Sequence, residues 1–161
     1  MGEVGDRSRA VAPTGSAPAH PRPVMLATLS VRLHPAAEEM AIASALEAGV
    51  PLIVANMLQL PPYPTTVVLL GAGGATLPHE EDLEAVRATA ARAAALGVHT
   101  ELLRVSSPRP VRALLALVAE RDPGLLVLGP DAGRIRRRRF RAVARRLRRD
   151  APCLVWIAPE G

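Results

Sequence analysis

The chain has 161 residues, 49% of them hydrophobic and 22% charged, with a formal net charge of +5. That length suits one domain with a real core. The absence of any apolar run of about 18 residues free of Pro and Gly argues against a membrane span, and a single cysteine, Cys153, excludes an internal disulfide framework and fits a reducing cytoplasm.

Residues 1–22 are rich in Ala, Pro, Gly and Ser without periodicity, and read as a disordered tail with no apolar signal-peptide core. The folded part is expected over 23–159. "PVMLATLS" (23–30) is a short apolar run suited to a buried strand. Pro35, Glu38 and Glu39 mark a helix start, and Gly49 its stop. "PLIVANML" (51–58) is a second buried strand. From Ala48 to His79 no charged residue occurs, "PPYP" (61–64) interrupts, and "TTVVLLG" (65–71) reads as an extra strand or as an apolar cover over the domain or a partner subunit.

Pro78 and three acids open a helix over 79–97, closed by Gly97. "VHTELLRV" (98–105) is a strand. The helix over 108–122 presents Val111, Leu114, Leu115 and Val118 on one face. "GLLVLG" (124–129) is a strand, the arginine-rich segment a helix, and "PCLVWIAP" (152–159) a last strand. Strands that are continuous apolar runs, alternating with helices, define an α/β fold: a doubly wound parallel five-stranded sheet with helices on both faces. Ligands of such sheets sit beyond the strand C-termini, where strand order reverses.

All 20 basic side chains are arginine, in a composition that reads as GC-rich coding. Ten lie between Arg134 and Arg149 with no acid among them, so the rest of the chain, ten arginines against fifteen acids, is net acidic. This asymmetry suggests a site for a polyanion or an acidic partner. Phe140, Val143, Ala144 and Leu147 recur at helical spacing and Ala151 continues the stripe, so one face packs inward. Arg145, Arg146, Arg148 and Arg149 then decorate the flanks and outer face, with Arg146 and Arg149 near the C-terminal dipole. Arg134 and the patch Arg136, Arg137, Arg138 and Arg139 lie instead between Gly129 and the first turns of the helix, on the ligand side. The dipole repels them there, and a bound anion relieves the conflict.

Other candidates are weaker. Gly71, Gly73 and Gly74 follow a strand, but Thr76 stands where a dinucleotide fingerprint needs glycine. His20, His34, His79 and His99 show no metal-ligand spacing. His79 with Glu80, Glu81 and Asp82 is explained by an acidic helix start, and Cys153 by a small core residue. No catalytic triad is readable, and no catalytic residue or metal site is assigned.

The last third, "LLVLGPDAG" followed by "RRDAPCLVWI", together with the opening "VMLATLS", resembles the universal stress protein family over about residues 23–159. The resemblance implies an adenine-nucleotide α-hydrolase-like fold, a cytoplasmic stress-response role, ATP as the candidate ligand, and a homodimer formed through the final strand. The implied nucleotide positions are Thr28, Leu29, Gly129, Gly133, Arg134, Arg141 and Ala142. Several depart from the family pattern. Leu29 stands where ATP-binding members have Asp, Ala132 where they have the second glycine, with Gly133 one place late, and Arg141-Ala142 or Ala142-Val143 where they have G-[ST]. Arg134, Arg139 or Arg141 would have to supply the missing phosphate contacts. Three functions follow: a binding module with a degenerate nucleotide loop, an ATP binder that uses arginines, or a nucleotide-dependent enzyme built on Gly71–Gly74. Nucleic-acid binding would be non-specific, since no aromatic platform accompanies the arginines.

Overall fold

The computed structural model describes residues 21–60, 80–131 and 135–159. The elements run β1 (Val24–Leu29), α1 (Pro35–Ala48), β2 (Leu52–Gln59), α2 (Glu80–Ala95), β3 (Thr100–Ser107), α3 (Pro110–Arg121), β4 (Leu125–Leu128), α4 (Arg137–Asp150) and β5 (Leu154–Ile157). The five described strands form one parallel sheet in the order β3-β2-β1-β4-β5. The expected class is therefore the observed one. Most of the expected tail, the strand at 65–71 and the Gly71–Gly74 loop lie outside the described residues.

Strand residues alternate between two cores, as the pleat requires. Val24, Leu26, Leu52 and Val54 pack with α1 and α2, while Met25, Ala27, Ile53, Ala55 and Met57 pack with α3 and α4. The central strands β1 and β2 are buried on both faces, which explains their unbroken apolar runs. β3 departs from the expectation of a fully buried strand. It is an edge strand of alternating exposure, and the exposed positions include Leu102 and Arg104. On α3 the buried face is centred on Leu114, Leu117 and Val118, with Val111 and Leu115 only partly buried, so Leu117 joins the expected set. On α4 the stripe is as expected: Phe140, Val143, Ala144 and Leu147 are all buried.

Helix α1 is capped at both ends. His34 Nδ1 accepts from the Ala36 amide at 3.2 Å, Pro35 occupies the first turn, and Gly49 closes the helix at φ 63. Its inner face is small, with Ala37, Ala41 and Ala45 buried beside Ile42. Small side chains let the helix axis approach the sheet closely. At Gly129 the approach leaves no room for a side chain: a Cβ there would collide with Ala37 Cβ, which has no rotatable bond by which to move aside.

Gly129→Ala is therefore expected to lower stability by about 1–3 kcal/mol through overpacking. Adding Ala37→Gly should return part of that loss, less about 1 kcal/mol for glycine inside a helix. Urea denaturation of the two single variants and the double variant checks the coupling.

Candidate functional site

The chain runs outward from β1 through β2 to β3, then returns to β4 and continues to β5. Strand order thus reverses between β1 and β4, and the crevice beyond their C-terminal ends is where a doubly wound sheet binds ligands. The loops on its two sides are joined. The His34 amide donates to Gly129 O at 2.8 Å, the Asp131 amide to Arg32 O at 3.0 Å, and Leu33 forms an antiparallel bridge with Pro130.

Polar side chains of the β1 end are engaged by the fold. Thr28 is fully buried, and its hydroxyl donates to Val31 O at 2.5 Å. Ser30, at φ 59, donates to Met57 O at 3.0 Å and accepts from the Gln59 amide at 2.9 Å, which ties the ends of β1 and β2 together. Leu29 is half-buried against the core under α3 and α4. Of the implied nucleotide positions on β1, one thus turns a spent hydroxyl inward and the other packs.

Three polar residues near this end have roles that the sequence reading did not assign. Asn56 is paired in register with Thr28 and is buried, and its Oδ1 has no hydrogen-bond partner. Asp82 was expected only as a helix-start acid. Its side chain is 5% exposed and lies 3.7 Å from Arg32 Nε. Helical spacing carried the signal, because Asp82, Val86, Thr89 and Ala93 fall on one stripe and all are buried. Glu38, likewise read as a helix-start acid, accepts from Thr89 Oγ1 at 2.8 Å and Arg92 Nη2 at 2.7 Å and so joins α1 to α2.

On the other side of the crevice, Arg136, Arg137, Arg138 and Arg139 are exposed around the start of α4, which has no side-chain cap. Arg139 reaches over the sheet to donate to Gln59 at the end of β2. Arg141 and Ala142 are exposed on the next turn, and Arg141 lines a groove toward β5. Gly133 and Arg134 lie outside the described residues. At the far end of α4, Arg149 Nε and Arg146 Nε approach Asp150 at 2.8 and 3.5 Å. The Arg149 hydrogen bond holds the Asp150 carboxyl below its ordinary value. Cys153 is half-buried, and burial pushes its thiol upward, away from the reactive thiolate. No group of three His, Cys, Asp or Glu suited to a metal occurs among the described residues, and no helix among them is long and apolar enough to cross a membrane.

An all-parallel sheet with a crevice at its strand reversal is the frame of a nucleotide-binding α/β protein. Residues 21–159 match the family described as the universal stress protein family, and the chain belongs to it. Similar solved structures share the fold. One is a universal stress protein family member from Burkholderia pseudomallei, 21% identical at a TM-score of 0.58, over 88% of this chain and 99% of that one. Another is a universal stress protein in complex with cAMP, 20% identical at a TM-score of 0.58, over the same 88% and 99%. A third is the Archaeoglobus fulgidus protein in complex with dAMP, 23% identical at a TM-score of 0.53, over 84% and 96%. No curated protein matches the sequence.

If the Thr28 hydroxyl serves the loop, Thr28→Val should lower stability by about 1–2 kcal/mol by stranding the Val31 carbonyl. Chemical denaturation should show a lower midpoint at unchanged slope.

Proposed function

We propose that this chain is a cytoplasmic stress-response regulatory module that acts by binding a ligand or partner, and that its affinity for ATP is low. The observation that carries this reading is the internal use of the β1 end. Thr28 and Ser30 spend their hydroxyls on backbone groups of the fold, and Leu29, where ATP-binding relatives have Asp, packs against the core. A cytoplasmic setting accords with the lone cysteine.

A second reading has its own support. The α4 N-terminus is uncapped and surrounded by Arg136, Arg137, Arg138 and Arg139. Phosphate oxygens would satisfy both the open amides and the guanidinium groups. Two of the similar structures hold cAMP and dAMP, and on this reading the chain takes an adenine nucleotide with arginines at its phosphates.

Isothermal titration with Mg-ATP near physiological salt separates the two. The expected dissociation constant is weaker than about 1 mM, or about −4 kcal/mol. A micromolar constant, lost on replacing Arg136–Arg139 with Gln, would establish the arginine-based nucleotide site instead.

A further inference from the structure

Away from the crevice, the edge strand β5 carries an unused binding geometry. On its α4 side lies a groove of ≈ 350 Å³ floored by Phe140, Ile157 and Ala158 and rimmed by Arg141, Arg145 and Arg148. The three arginines stand at i, i+4 and i+7, one line along the helix flank. Arg145 and Arg148 are exposed and have no acidic partner among the described residues. On the opposite face of β5, Leu154 is 75% exposed and Trp156 is half-buried, two residues apart.

The strand also offers backbone. The Ala158 amide donates to Leu128 O. In a parallel ladder alternate residues turn their amide and carbonyl to the same neighbour, so Leu154 and Trp156 also face β4. The amides and carbonyls of Val155 and Ile157 therefore point outward from the sheet edge.

We infer that this edge docks an extended acidic segment of a partner protein by strand addition. Backbone bonds to Val155 and Ile157 would hold it. Its alternate side chains would be acidic toward Arg141, Arg145 and Arg148 and apolar toward Leu154 and Trp156. Charge complementarity favours this occupant over a second copy of the chain. Joining two β5 strands antiparallel about a twofold axis places both α4 helices on the same face, so like arginine rows oppose each other. Alternation of apolar and acidic side chains on an extended backbone also matches this edge better than a nucleic-acid strand does, since an oligonucleotide offers no partner for an outward peptide edge.

The test uses the full chain and a fluorescein-labelled peptide of about eight residues that alternates Glu and Val. A Glu-block peptide of the same composition is the control. Anisotropy should show binding of the alternating peptide in preference to the block peptide. Arg145→Glu with Arg148→Glu, both at exposed positions, should weaken it by about tenfold or more, the effect of losing two surface ion pairs. Hydrogen exchange should show the Val155 and Ile157 amides protected on binding. Equal binding of both peptides, an unchanged affinity in the double variant, or unprotected β5 amides would overturn the inference. A single-stranded oligonucleotide that binds more tightly and displaces the peptide would overturn it in favour of nucleic acid. A dimer by sedimentation, with those amides already protected before peptide is added, would overturn it in favour of a second copy.

Discussion

Helix α1 meets the sheet with alanine where most covering helices place a larger side chain, and it does so over the junction of β1 and β4. Ala37 fills the space that a side chain at Gly129 would need. This close approach allows the β1–α1 loop to reach the segment after β4, so that the His34 amide finds Gly129 O and the Asp131 amide finds Arg32 O. The crevice is consequently floored by a hydrogen-bonded seam between two segments about a hundred residues apart in the chain. Gly129 has a packing role whether or not phosphate ever approaches it. A glycine that matches a family's phosphate loop can therefore persist for the sake of the helix that lies above it.

The same seam explains why the β1 end is poorly suited to gripping a ligand. A left-handed Ser30 redirects the chain out of β1, and its hydroxyl secures Met57 and Gln59 of β2. Thr28 does the equivalent for Val31. Hydroxyls committed to buried carbonyls are released only by stranding those carbonyls, which costs roughly what a ligand hydrogen bond would return. The polar capacity of this region has moved elsewhere, to the Arg32–Asp82 pair and to the arginines at the start of α4.

Helix α4 combines a dense charge with an inward stripe of Phe140, Val143, Ala144 and Leu147. Burial of that stripe is what holds a helix whose first turns repel its own dipole. The charge is not uniform in its use. Asp150 gathers Arg146 and Arg149 at the C-terminal end, Arg139 extends across the sheet to Gln59, and Arg141, Arg145 and Arg148 rim the edge of β5. One helix thus presents cations in two directions, toward the crevice and toward the open edge.

The element order, the parallel class and the inward face of α4 were determined by the sequence alone, because each is written in a local period. Two-sided apolar runs mark strands such as Met25–Ala27 and Ile53–Ala55, and the 3.6 spacing marks Phe140 to Leu147. The same spacing contained Asp82, although its acid character suggested a helix start. What the tertiary structure decided is everything that depends on strand order. Only once β1 lies between β2 and β4 does Gly129 meet Ala37, Thr28 face Asn56, and Arg139 reach Gln59. Glu38 finds Thr89 and Arg92 only when α1 and α2 share a face. Periodicity reports which way a side chain points along its own element. It carries no record of which distant element arrives to meet it, and here those arrivals decide which polar groups the fold consumes and which it leaves for a ligand.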